Sequence, residues 1–164
     1  MTVEVSGGGL PSLQRVAPGY LNVLRFQLAL TWLPFVAGAL TLDLLILDDN
    51  PVRGLLSTLV PLLAIVSIVT TPARIHRRLL YGVDERLLQV KRGWLFQTDT
   101  IVPFVRVQHL DVTRGPLDKM FGTATLIVHT AGTHNSIVTL PGLQPDRAED
   151  IRDTIREHVR TDFG

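Results

Sequence analysis

The side chains whose type best suits metal or proton chemistry are three histidines, His109, His129 and His134. His129 and His134 flank a turn signature, Ala131-Gly132-Thr133-His134, and could approach each other across a hairpin, with His109 alongside in some registers. A zinc site takes three or four ligands held by an ordered outer shell. Here the spacing fixes no carboxylate partner and the chain contains no cysteine. The histidines therefore read as exposed strand residues, and no metal ligand is expected. The sequence shows no nucleophile elbow, paired catalytic carboxylates or nucleotide loop. Gly7-Gly8-Gly9 is followed by no Lys-Ser/Thr pair, so it reads as linker. Ser57 and Ser67 lie in an apolar run, where packing is their expected role. No catalytic residue, cofactor or enzymatic activity is expected. The lack of cysteine also excludes disulfides and favours a reducing cytoplasm.

A second set of residues bears on binding. Arg74, His76, Arg77 and Arg78 follow an apolar run directly, and Lys91 and Arg92 come later. Basic residues near a bilayer attract anionic lipid by on the order of 1 kcal/mol each. The same placement also marks a topology anchor, which accounts for the first cluster alone. Net charge is only +1 over 164 residues, which argues against nucleic acid as a partner.

These residues must be positioned by two very different halves. Residues 26–47 read FQLALTWLPFVAGALTLDLLIL and residues 55–71 read LLSTLVPLLAIVSIVTT. Each is long enough to cross a hydrocarbon core, which takes roughly 17–25 residues at about 1.5 Å per residue. Neither has a polar face, so both read as membrane spans joined by the turn Asp48-Asp49-Asn50-Pro51 with Arg53. The first run exceeds the roughly 7–15 residues of a signal-peptide core, so it reads as an uncleaved span. Small and weakly polar residues recur at spacings of three and four: Thr31, Pro34, Gly38 and Thr41, then Gly54, Ser57, Pro61, Ala64 and Thr71. They are expected to form the seam between the helices, chiefly at Pro34, Gly38, Pro61 and Ala64. Asp43 lies about a turn from the interface and is expected to be hydrated there.

The expected organisation is a flexible arm at residues 1–20, a two-span hairpin at 21–73 and a β-domain at 74–164. From residue 86 the pattern turns to strands. Residues 105–112, VRVQHLDV, alternate but slip near His109-Leu110, where a bulge is expected. Residues 124–130 and 135–140 read as a hairpin, and short strands at such intervals indicate an antiparallel sandwich or barrel. Residues 145–159 return to a helical period, with Ala148, Ile151, Ile155 and Val159 on one stripe and Arg152, Arg156 and Arg160 elsewhere.

Seven or so short strands closed by one amphipathic helix is the plan of a pleckstrin-homology (PH) domain. Residues 79–160 resemble, more specifically, the bacterial PH-like domains that follow a two-helix membrane anchor, a family long labelled as of unknown function. The residues that carry this are YGVDERL (81–87), VPFVRVQHLDV (102–112), RGPLDKMFG (114–122) and VHTAG (128–132). The resemblance implies a non-enzymatic membrane protein, acting beside a larger relative with several copies of the domain. The motif also has its own physical reading: Gly115-Pro116 forces a turn, Leu117 and Phe121 plug the sheet, and Gly122 permits the return to extended chain. Binding of a phosphorylated headgroup would need cations around the first strand turn, Gly82-Val83-Asp84-Glu85, but its tip is acidic.

The expected function is a membrane-anchored scaffold or adaptor that binds a membrane protein of the same family or a second copy of itself. The alternative is a membrane-surface sensor of anionic lipid using Arg74, Arg77, Arg78, Lys91 and Arg92. No specific small-molecule ligand is inferred. Arg15 and Arg25 precede the first span and Arg74, Arg77 and Arg78 follow the second, so the positive-inside rule places both termini and the β-domain in the cytoplasm of a bacterial inner membrane.

Overall fold

A computed structural model describes residues 11–45, 54–84, 86–93, 96–131 and 136–162, with the side chains of the last three excepted. The expected loop residues 48–53, the turn residues Gly132 to Asn135, and Arg160's side chain lie outside this description. The chain forms two compact units, residues Leu21–Arg74 and the combination of Met1–Tyr20 with Ile75–Gly164.

The apolar runs are helical, and each helix extends past its run at one end. Helix α1 spans Gly19–Leu45 and α2 spans Leu55–Arg78. At 27 and 24 residues both exceed a hydrocarbon core of roughly 30 Å. Pro34, Pro61 and Pro72 lie inside them, a pattern tolerated in membrane helices. Leu30, Leu33, Phe35, Leu62, Ile65 and Val69 stand exposed, as residues facing lipid tails do.

The seam on α2 includes Ala64, which is buried, with Ser57 and Pro61 half-buried. On α1 the expected stripe is displaced. Gly38 is exposed with open space where a side chain would project, and Pro34 is exposed. Thr31 and Thr41 donate to the carbonyls of Gln27 and Gly38 in their own helix. The buried positions are Ala39 and Asp43, four apart on a neighbouring face. The reason is Asp43, which is not hydrated at an interface but 3% exposed. Its carboxylate accepts the Gly54 N–H at 2.9 Å and the Ser57 hydroxyl. It thus serves the first turn of α2, where backbone N–H groups lack helical partners. One polar residue therefore selects which face of α1 turns inward.

The second unit is built of two antiparallel sheets. Strands β1 (Gln14–Arg15), β2 (Leu80–Val83), β3 (Leu87–Arg92) and β4 (Thr98–Pro103) form one sheet in that order. Strands β5 (Val107–Thr113), β6 (Ala124–Thr130) and β7 (Ile137–Leu143) form the other. They do not close into a barrel, and the sandwich alternative is the one realised. Helix α3 (Pro116–Phe121) links β5 to β6, and α4 (Pro145–Asp162) ends the fold. Alternate strand residues supply one core: Tyr81, Leu88, Val90, Val102, Leu126, Val128, Val138 and Leu140, sealed by Ala148, Ile151 and Ile155 of α4. The expected helical stripe is thus buried, with Val159 packed at its margin.

Residues 12–20 depart from the flexible-arm expectation. Gln14 and Arg15 pair with Tyr81 and Leu80, and Val16 is buried in the core. Ala17 donates its N–H to the Gly142 carbonyl at 2.7 Å, while its own carbonyl takes the Tyr20 N–H and lies 3.2 Å from His76 Nε2. Gly142 has φ +78°, and a Cβ there would meet the Tyr20 ring at 2.5 Å. Glycine is therefore demanded twice, by conformation and by space. A Cβ at Gly19 would likewise meet the Phe121 carbonyl at 2.3 Å. The membrane hairpin is thus an insertion between β1 and β2, not a separate domain placed ahead of the β-fold.

Candidate functional site

The bulge in β5 brings the histidines together. The register shifts between Val107 and His109, about a residue ahead of the expected slip. Val107 stays buried, whereas His109 turns to solvent and Leu110 and Val112 take the inward positions. His109 then pairs across to His129 on β6, with ring centroids 5.8 Å apart. Asp111, two residues on and hence on the same face, joins them: its Oδ1 lies 3.0 Å from His109 Nε2 and its Oδ2 3.5 Å from His129 Nε2. Spacing alone had supplied no carboxylate partner, although His-x-Asp on a strand is the signal for one. Among the described residues no group of three such side chains is arranged to hold a metal ion. His134 lies outside them. The cluster is exposed, and ion pairs of this kind contribute about 0–1 kcal/mol. Beside it on the same row, Ile137 of edge strand β7 faces solvent.

The RGPLDKMFG motif is folded by Asp118. Pro116 occupies the start of α3, and Gly122 ends it in the left-handed region at φ 65°. Asp118 accepts the Gly115 N–H at 3.1 Å and the buried Thr123 hydroxyl at 2.6 Å, tying both ends of the helix. Leu117 and Phe121 are only half-buried and stand outside the main core, so they do not plug the sheet as expected.

The cations expected to meet lipid divide between surroundings. Arg74, Arg77 and Arg78 are exposed along the last turns of α2, where positive charge suits the negative end of the helix dipole. Lys91 pairs with Asp99 at 3.2 Å, and Arg92 beyond it is exposed. Asp99 also accepts both Gln89 Nε2 contacts, at 2.8 and 3.0 Å. The Gln89 hydrogen bond, reinforced by Lys91, holds the Asp99 carboxyl below the ordinary aspartate range. Strand β2 begins at Leu80 opposite Lys91, so Arg78, Lys91 and Arg92 belong to one end of their sheet. The acidic β2–β3 turn at Asp84 is at the other. Glu85 lies outside the described residues.

Two open antiparallel sheets with a C-terminal helix over their core, in a chain that also has a pair of apolar helices, define a membrane-associated PH-like protein. The bacterial PH domain family matches residues 26–159, a stretch that takes in both apolar helices as well as the β-fold, and the chain belongs to that family. It is similar to the UPF0699 transmembrane protein YdbS of Bacillus subtilis (strain 168), 36% identical over 109 residues that cover 66% of this chain and 67% of the relative. No solved structure matches.

Proposed function

We propose that this protein is a non-enzymatic scaffold whose β-domain holds another membrane protein of its family or a second copy of itself. The observation that supports this is at the sheet edges. Among the described residues β4 and β7 each have one unpaired side, and each carries an exposed isoleucine, Ile101 at 48% and Ile137 at 55%. Edge strands offer unsatisfied backbone groups to an incoming strand, and apolar side chains beside them supply the contact area. A photo-crosslinking side chain at position 101 or 137 in native membranes should give a discrete protein adduct, absent when the probe replaces exposed Glu149 on α4. Adducts equally frequent at all three positions, or none, would remove the proposal.

The alternative, a sensor of anionic lipid, is favoured by the exposed Arg77, Arg78 and Arg92. It requires phosphatidylglycerol retained through purification and lost when the three become Gln. The whole chain must be used, since a fragment beginning after α2 lacks β1 and Val16.

The arginine distribution supports a bacterial inner-membrane location with both termini and the β-domain cytoplasmic. With no native cysteine, Asn50→Cys should react with an impermeant thiol reagent on intact cells and Asn135→Cys only after lysis. Reaction at position 135 in intact cells would reverse the topology.

A further inference from the structure

We propose that Arg92 at the end of β3 and Phe96 just ahead of β4 make a second membrane contact, in which Phe96 lodges at the headgroup layer and Arg92 meets lipid phosphate. This goes beyond the scaffold role, because its ligand is the bilayer and not a protein.

Phe96 is 82% exposed, more than any other large apolar residue described in the β unit. Its carbonyl packs closely against the end of β3. Arg92 pairs with Thr98, and the chain doubles back at Gly93, where φ is +133° and a Cβ would meet the Phe96 carbonyl at 1.7 Å. Only a residue without a side chain allows this turn.

Register then fixes which end of the sheet the turn occupies. Leu80 pairs with Arg15 on one side and Lys91 on the other. The chain runs from Arg15 to the start of α1 at Gly19, and from the end of α2 at Arg78 to Leu80. Both connections to the apolar helices therefore leave from the end that carries Phe96. That end also holds Arg15, Arg77, Arg78 and Arg92, while Asp84 marks the opposite end. Lys91 is engaged by Asp99, so Arg92 is the cation at the turn itself. At the opposite end exposed Arg86 stands beside Asp84, so the excess of positive charge, which an anionic membrane attracts, lies at the first end. A large apolar side chain beside a cation matches the composition of an interfacial contact.

The test uses the full chain in vesicles of phosphatidylcholine and phosphatidylglycerol, with an environment-sensitive fluorophore on Gln97→Cys or, as the reference, Ile137→Cys. A lipid spin-labelled near its headgroup should quench the probe at 97 several-fold more strongly than at 137. Phe96→Asp should abolish that difference, and Arg92→Gln should reduce it in vesicles containing phosphatidylglycerol. Equal quenching at both positions, quenching unchanged by Phe96→Asp, or a blue-shifted probe at 97 that lipid does not quench would each overturn the proposal. The last of these would identify a protein contact instead.

Discussion

The two units of this chain are held together by opposite means. The β unit buries a continuous apolar core, so removal of hydrocarbon from water is its main stabilising term. The hairpin exposes most of its leucines and buries few side chains, among them Ala39, Asp43 and Ala64. In lipid, apolar burial provides no drive for helix association, which leaves close packing and polar bonds. The carboxylate of Asp43, reaching from one helix to the amide and hydroxyl at the start of the other, therefore matters more to the hairpin than any leucine. A residue type that is incidental in one half is decisive in the other.

The largest expected effect that separates the units is Ile155→Ala. Its side chain is fully buried, and its loss should destabilise the β unit by about 2–5 kcal/mol while leaving hairpin unfolding unchanged. Thermal melts of the full chain in detergent, followed by near-ultraviolet and helical circular dichroism signals, would separate the two. Loss of both signals together would show that the units unfold as one. Next is Gly142→Ala, which imposes a strained φ, worth roughly 1–3 kcal/mol, and drives a methyl group into Tyr20. Limited proteolysis should then cut within residues 12–18 before any other part of the β unit, and protection equal to the native chain would contradict the docking of β1.

Asp43→Ala should weaken the hairpin by about 1 kcal/mol by removing the acceptor of the half-buried Gly54 amide and Ser57 hydroxyl, with no change in the β-unit melt. In a sodium dodecyl sulfate titration that reads this loss, Ala64→Leu should also weaken the hairpin and Gly38→Leu should not, since Gly38 faces open space. A cost at Gly38 equal to that at Ala64 would restore the other face of α1 as the seam. The smallest effect is at Asp99. Its carboxyl is held below the ordinary value in the fold, so its stabilisation is present above the unfolded-state value and is lost as pH falls through the folded one. Asp99→Asn should lower the neutral melt slightly and flatten the acid limb of the β-unit stability profile, so that the variant and the native chain converge at low pH. An unaltered acid limb would assign that loss to other carboxylates.

Much of this was legible where one periodicity persisted. The spans, the β6–β7 hairpin and the α4 stripe through Ile151 and Ile155 follow directly from apolar spacing. The slip in VRVQHLDV marked a real bulge to within about a residue, because Leu110 and Val112 can only be buried if the alternation breaks. Three features were hidden for physical reasons. Strand β1 has two residues, too few to show a period, and its partner lies beyond the whole hairpin. The inward face of α1 is chosen by the hydrogen bonds of Asp43, while the stripe of small residues points elsewhere. Asp111 meets His129 only through a cross-strand register, which spacing along one strand does not contain.

The insertion of the hairpin between β1 and β2 has a bearing on biogenesis. Arg15 leaves the ribosome before either span, and its partner Leu80 leaves after both. The β-sheet can close only when the two ends of the hairpin emerge on the same side of the membrane. A molecule that inserted one span and not the other would strand β1 across the bilayer, leaving a sheet without its first strand and a core without Val16. Closure of the four-stranded sheet therefore waits on the hairpin, and a chain whose β1 fails to dock leaves the outer edge of β2 open.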